Sequence, residues 1–595
     1  MLKRFILNAL SSFVGAWLAI VLAGISIVML LVGMIGNLAL SSGTSERVTS
    51  RSILKLSLNG EIIETESVNS LNPMAIVQGD LEKPQALNVI VAALKEAANN
   101  KDIVALYLDC GNVAASPATL NAIREAVVDF KKSGKPVYAY GDNLSTGTYF
   151  VASAADRIYM CPDGELSMKG LGTMSLYMKD LFDKVGVQFQ VVKVGTYKSA
   201  VEPYIMQEMS EPARAQLDTL FGNMWRYIRK GIASSRKGIT PAQIDSLITV
   251  RNISFGPASQ AVSSGLVDSL IYGRAVAQRF AWVTGQDPED VNFVSPSTLV
   301  AQVPWGQAYS SKNCIAVLYA CGEIEDGNPS AIDYQTLVPI ITQLADDEKV
   351  KGMVLRVNSP GGSAFGSAQI GEALDYFQSK GKPLAVSMGD YAASGGYWIS
   401  SCADKIFADP LTITGSIGIF GLIPNFSGLA SKLGVNPVLV STTPAANFPN
   451  GVKPMDERQL GVLQAYVDRG YEQFVGRVAK GRKMSVQAVK RIAEGRVWDA
   501  QSARRIGLVD SLAGLGTAIE WVAKKADIYS KYEIAAYPKY EPGLLEMLPA
   551  GKEIKQEVAK AQEPDPDAVL MKYVRKILVR NKVQARMIPV IVTLN

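Results

Sequence analysis

The chain repeats itself, and the repeat constrains everything else. Gly265-Leu266-Val267-Asp268-Ser269-Leu270 recurs letter for letter as Gly507-Leu508-Val509-Asp510-Ser511-Leu512, 242 positions later. Upstream, Gly141-Asp142 through Ala155-Asp156-Arg157-Ile158-Tyr159 matches Gly389-Asp390 through Ala403-Asp404-Lys405-Ile406-Phe407 at an offset of 248. Before those, residues 103–108 match 350–355 at an offset of 247. Repeats this long, separated by small drifts in offset, make the chain a tandem duplication of one domain. With 595 residues, more than one hydrophobic core is expected.

Each copy alternates strand and helix patterns. Residues 104–108 and 353–357 are short apolar runs with β-branched members. An amphipathic helix follows over 364–378, then a strand over 384–388. Strands at this spacing predict βαβ units with parallel pairing, buried on both faces. Helical stretches over 456–482 and 485–494 close the second copy, and Glu563-Pro564-Asp565-Pro566-Asp567 marks a linker before a tail. The fold class is therefore α/β, twice: a first repeat over 46–305, a second over 306–540, and a linker and tail over 541–595.

Ahead of the repeats, no charged residue occurs between Arg4 and Glu46. The densest part, 13–35, is 23 residues with Ser26 as its one polar member. At about 1.5 Å per residue that length crosses a hydrocarbon core of about 30 Å, whereas a cleaved signal peptide has an apolar region of about 7–15 residues. Residues 1–45 are thus expected to be a short cytoplasmic stub and one transmembrane helix. Lys3 and Arg4 hold the N-terminus inside, which puts both repeats on the extracytoplasmic face.

The chain contains no histidine. That excludes the Ser-His-Asp triad, Cys-His proteases and histidine-ligated zinc. A hydrolase built from this sequence needs a carboxylate, a lysine or the chain terminus as its base. The net charge of +5 is small for this length and spread along the chain, so nucleic acid is not an expected partner. The cysteines, Cys110, Cys161, Cys314, Cys321 and Cys402, are odd in number and show no C-x-x-C; they read as packing residues, not as disulfides or metal ligands. No cofactor or metal is expected.

Two turns in the second copy carry candidate chemistry. The strand at 384–388 runs into Gly389-Asp390-Tyr391-Ala392-Ala393-Ser394-Gly395-Gly396-Tyr397. A serine there is either a nucleophile on a sharp strand-to-helix turn or simply a helix cap. Asn358-Ser359-Pro360-Gly361-Gly362-Ser363 follows the neighbouring strand. Its glycines either present backbone amides to a developing oxyanion or make an ordinary helix entry. In the first copy the matches are Thr146 and the degraded stretch Cys110-Gly111-Asn112-Val113. What the first copy keeps is Lys198, in Val194-Gly195-Thr196-Tyr197-Lys198-Ser199-Ala200, where the second copy has alanine. The copies have degenerated in complementary ways, which suggests one site shared between them.

Those segments, together with Leu411-Thr412-Ile413-Thr414-Gly415-Ser416-Ile417-Gly418, resemble the signal peptide peptidase A (protease IV) family in its long, duplicated, membrane-anchored form. The resemblance covers nearly the whole chain. It implies a crotonase/Clp-protease-like domain in each copy and a serine endopeptidase with a Ser/Lys dyad. Ser394 is then the nucleophile, Lys198 the general base, and Ser416 the residue that orients the lysine. The backbone amides of Gly361, Gly362 and Gly395 are the oxyanion candidates. The resemblance further implies signal-peptide substrates, a homotetramer and a bacterial-type inner-membrane location facing the periplasm. Two alternatives are a crotonase-type acyl-thioester enzyme and a non-catalytic membrane scaffold. The basic tail, with Lys572, Arg575, Lys576, Arg580, Lys582 and Arg586, reads more readily as a solvated surface or a subunit contact than as a contact for anionic lipid.

Overall fold

Four strands of the first copy lie side by side in chain order: β1 (Ser52–Ile63), β2 (Ile103–Ala114), β3 (Val137–Gly141) and β4 (Arg157–Met160). All three pairings are parallel. The computed structural model describes residues 47–65, 84–302, 312–443, 445–446, 448–529, 532–539 and 584–586, and every element named here belongs to one compact unit. The anchor expected at 13–35, the linker at 563–567 and most of the basic tail lie outside the described residues. Among the described residues no helix is long and apolar enough to cross a membrane.

The parallel strands are buried on both faces, as their continuous apolar runs require. Leu54, Leu56, Leu58, Leu106 and Leu108 face one core with helices α1 (Pro117–Lys131) and α2 (Thr146–Ala152). Ile53, Ala105 and Tyr107 face the other side, against Val276 and Phe280. Strand β5 (Gln188–Lys193) then leaves the first sheet altogether.

The second copy reproduces the plan. Its strands are β6 (Cys314–Cys321), β7 (Val350–Ser359), then helix α3 (Ala364–Ser379), strand β8 (Leu384–Ala393), helix α4 (Gly395–Ser400) and β9 (Lys405–Ala408). β6, β7, β8 and β9 pair in that order, all parallel. Beyond β8 the short β10 (Ile413–Gly415) also pairs with it, in parallel. Next comes β11 (Phe420–Asn425), which pairs antiparallel with β5 of the first copy, Lys193 opposite Phe420. That pair carries the chain after β5, including Lys198, across into the second copy. β11 also meets the strand Gln584–Arg586, which pairs antiparallel with Gly361–Ser363.

The identical hexapeptides do identical work. Asp268 accepts the Ile158 N–H on β4 at 2.7 Å, and Asp510 accepts the Ile406 N–H on β9 at 2.7 Å. Each aspartate also pairs with an arginine, Arg236 at 3.0 Å and Arg482 at 2.6 Å. Tyr149 donates to Leu266 O and Tyr397 to Leu508 O, at 2.7 and 2.9 Å. These contacts seat each hexapeptide beside β4 or β9, where Ser269–Leu270 and Ser511–Leu512 add a further parallel strand to the sheet.

One element differs from the sequence reading. The strand expected at 384–388 continues to Ala393, through residues read as a turn. Val357 pairs with Met388 and Ser359 with Ala392, so Gly389, Asp390 and Tyr391 together face Asn358. A bulge of this kind bends and re-aims a strand next to a site. Asn358 Oδ1 accepts the Tyr391 N–H at 3.1 Å, and Thr412 and Thr414 donate their hydroxyls to Gly389 O and Ala392 O at 2.6 and 2.7 Å. Side chains thus replace the ladder bonds that the bulge removes, which backbone propensity alone does not reveal.

Candidate active site

Ser394 stands between β8 and α4 with φ 56° and ψ −116°, a backbone state that costs a non-glycine residue about 1–3 kcal/mol. The N–H of Ser394 donates to Gly415 O at 2.8 Å, and the Trp398 N–H returns to Ser394 O at 2.8 Å, holding the residue there. Its hydroxyl makes no cap bond to α4. The helix-cap reading therefore does not describe Ser394; the side chain is turned toward the lysine.

Lys198 arrives from the first copy on the loop after β5. Its Nζ lies 2.8 Å from Ser394 Oγ, 3.0 Å from Ser416 Oγ and 3.1 Å from Ser416 O. Lys198, Ser394 and Ser416 are all buried, at 1%, 0% and 1% exposure. Nζ donates toward all three oxygens; with the amine neutral, two N–H groups serve the Ser416 oxygens and the lone pair is left to accept the Ser394 hydroxyl proton. Desolvation by burial pushes Lys198 well below the ordinary lysine value, and it is the single cause of the shift. The Phe420 ring, 6.0 Å from Nζ at its centroid, forms an apolar wall. The structure thus brings together Ser394, Lys198 and Ser416, drawn from both copies of the repeat.

A turn grips this lysine loop where the sequence reading carried a helix on to 494. Residues 494–496 follow the helix Val486–Ile492. Glu494 O accepts the Tyr197 N–H at 2.9 Å, and Glu494 Oε2 accepts the Thr196 N–H at 3.0 Å. Glycine is required on both sides of the contact. A Cβ on Gly195, whose φ is 108°, would lie 2.5 Å from the Glu494 carbonyl carbon; one on Gly495 would lie 2.7 Å from Lys198 Cβ. Arg496 O accepts the Ser416 N–H at 2.7 Å, and its guanidinium sits 5.0 Å over the Tyr197 ring. One turn therefore fixes both the lysine loop and the serine that contacts it. A signal was present: at the 242 offset, Glu494-Gly495 matches Asn252-Ile253, so the glycine occurs in one copy alone.

The predicted oxyanion amides are not equivalent. The Gly361 N–H already donates to Ser359 Oγ at 3.1 Å. Gly362 follows it at φ 156°, packed so closely on Ile324 that a Cβ would lie 2.1 Å from its carbonyl oxygen. Gly395 is the first residue of α4, where an N–H has no intrahelical acceptor. The two turns touch, since a Cβ on Gly396 would lie 2.6 Å from Ser359 O.

The aromatic residues around the serine and the lysine divide. Tyr397 and Trp398 belong to the second copy's core, with Trp398 4.7 Å from the Phe474 ring, while Phe420 stays at the lysine. The five cysteines are unbonded; Cys110 and Cys314 are buried and the rest partly so.

The chain is similar to known peptidases over most of its length. The family model of peptidase family S49 matches twice, over residues 129–284 and 376–529, once in each copy. Protease 4 of Salmonella typhi is 34% identical over 542 residues, covering 88% of this chain and 86% of that protein. Protease 4 of Haemophilus influenzae is 35% identical, over 83% of this chain and 82% of its own length. The chloroplastic serine protease SPPA of Arabidopsis thaliana is 26% identical over 81% and 70%, respectively. The chain belongs to peptidase family S49 and is a serine peptidase.

Proposed function

We propose that the chain is an endopeptidase whose dyad is Ser394 and Lys198. The observation that carries this reading is the 2.8 Å approach of a fully buried lysine amine to a strained, buried serine hydroxyl. A neutral Lys198 takes the Ser394 proton as Oγ attacks the scissile carbonyl. The Gly395 amide, beside the Gly361–Gly362 turn, stabilises the oxyanion. The lysine, now an ammonium held by both Ser416 oxygens, passes its proton to the leaving amine. Water then attacks the acyl-enzyme, with Lys198 again as base.

On the same reading, the substrates are cleaved signal peptides, the segment at 13–35 anchors the chain in a bacterial-type inner membrane with the repeats outside, and the enzyme works as a homotetramer. The apolar composition of that segment and the long Protease 4 relatives support this.

The test is direct. Lys198→Ala and Ser394→Ala should each abolish hydrolysis of a fluorogenic peptide and labelling by a fluorophosphonate probe, with an unchanged circular dichroism spectrum. Substantial turnover in either purified variant would sink the dyad.

A further inference from the structure

Beside the dyad, but not touching it, is a buried polar cluster that spans both copies. Glu64, just past the end of β1, meets the Arg356 guanidinium of β7 through two bonds, Nη2 to Oε1 at 2.8 Å and Nε to Oε2 at 2.9 Å. Both residues are buried, at 8% and 6% exposure. Asn358 Nδ2 donates to Glu64 Oε1 at 3.1 Å and to Asp390 Oδ2 at 3.0 Å. Asp390, on the bulge of β8, also receives the Thr119 N–H at 2.9 Å and the Thr119 hydroxyl at 2.9 Å; Thr119 belongs to α1 of the first copy. Arg356 Nη1 completes the cluster, donating to Ser387 Oγ and Met388 O on β8, both at 2.9 Å. The packing leaves no room for a side chain at the centre, because a Cβ on Gly389 would lie 2.4 Å from Glu64 Oε1.

Burying so many charges is not explained by stability alone, since apolar replacements of buried ion pairs are often as stable or more so. What the cluster fixes is geometry. Asn358 immediately precedes the Ser359–Gly362 turn, and Asp390 lies four residues before Ser394. The Asn358 amide ties the two segments together, through Tyr391 N–H and Asp390, at the bulge that aims β8 toward the serine. Thr119 and Glu64 then brace that junction from the first copy.

We infer that Asn358 is a positioning residue for peptide hydrolysis, setting the oxyanion turn against the Ser394 elbow, and that the first copy supports this junction through Thr119 and Glu64. The first copy then serves the site by two routes, Lys198 and this brace. The inference rests on the Ser394–Lys198 reading above. A small misplacement of such groups costs about a hundredfold in rate.

The experiment uses the full chain and a fluorogenic peptide. Asn358→Ala should lower kcat by about tenfold to a hundredfold, leave KM within about twofold, and leave the pH midpoint of activity where Lys198 sets it. Thr119→Val, which removes only the cross-copy hydroxyl, should lower kcat in the same sense, and Thr119→Ser should restore it. Wild-type kcat in both Asn358→Ala and Thr119→Val would overturn the inference. So would a loss in Thr119→Val that Thr119→Ser fails to rescue and that follows the melting temperature. Lys198→Ala measured alongside separates the two levels: activity there defeats the dyad, whereas an inactive Lys198→Ala beside a fully active Asn358→Ala defeats the positioning role alone.

Discussion

In the first copy of the repeat, Thr146 begins α2 and its hydroxyl is engaged by the backbone, accepting the Lys169 N–H at 3.0 Å and lying 3.3 Å from Ser167 O. Ser145, just before it, caps α2 in a capping box with Thr148. Met168, the counterpart of Ser416, is buried in the first core. In the second copy the residue at the same place, Ser394, has a positive φ, caps nothing and faces a lysine. The same scaffold thus holds a relaxed turn in one copy and, in the other, a strained one set against a buried amine. Strain and a buried amine cost stability, so they persist where chemistry uses them and are relieved where it does not.

The sharpest way to break this comparison is to ask whether the first turn can be made catalytic by restoring its side chains. In the Ser394→Ala background, Thr146→Ser with Met168→Ser should leave hydrolysis as low as in Ser394→Ala alone. Lys198 is held at the second turn, and the backbone of the first turn lacks the strained geometry. Recovered peptide turnover in the triple variant would show that the two turns differ in side chain only.

A second difference lies in charge. Asp409, at the end of β9, is buried, accepts from Asn121 Nδ2 of the first copy at 2.8 Å and from Leu411 N–H at 2.9 Å, and is pushed up to about 7 by desolvation. Its counterpart at the 248 offset is Cys161. With no histidine, a titration near neutrality is expected from the sequence to report mainly on Lys198; the structure adds this carboxyl. The two act in opposite senses. Activity should rise with pH as the depressed Lys198 loses its proton. Asp409 binds its proton more tightly folded than unfolded, so its contribution to stability is full below the usual carboxylate range and is lost as pH rises through about 7. Asp409→Asn should therefore gain melting temperature over wild type as pH goes from 5 to 8, with the pH midpoint of kcat unmoved. A parallel pH dependence of melting in both proteins would refute the assignment.

How much of this is readable from the residues depends on what each feature is made of. The duplication, the parallel strands and the Ser394–Lys198 pairing were legible because the copies act as an internal alignment: a residue kept in one and lost in the other marks function. Ser416 needed the family resemblance, whereas the glycine turns stood out as small residues following strands. The strand extension to Ala393 and the Asn358 junction were not legible, and of the Glu494–Arg496 grip only the unmatched Gly495 showed. Each rests on partners far apart in sequence, as when the Asn358 side chain meets that of Glu64, and neither periodicity nor turn chemistry encodes such partners.

The smallest expected effect tests the part of the comparison where the copies agree. If the hexapeptides are purely architectural, their aspartates are interchangeable in consequence. Asp268 and Asp510 each accept one strand N–H at 2.7 Å and an arginine whose side chain is buried, and Asp268 also has the exposed Arg157 at 3.7 Å. Asp→Asn keeps the shape and one acceptor while removing the charge that strengthens both bonds. Hydrogen bonds to charged groups contribute about 1.5–3 kcal/mol, so each variant should lose part of that and no more. The fall in melting temperature should be similar for Asp268→Asn and Asp510→Asn, and kcat should stay within about twofold of wild type in both, since about 1.4 kcal/mol is needed for a tenfold change. The arginine partners make the same point from the other side, because Arg236 and Arg482 also reach the Gly265 and Gly507 carbonyls at 3.2 and 3.0 Å through Nε. A marked kcat loss confined to Asp510→Asn would show that the second hexapeptide, through β9 and its neighbour β8, has been drawn into holding Ser394, and that identity of sequence between the copies no longer means identity of role.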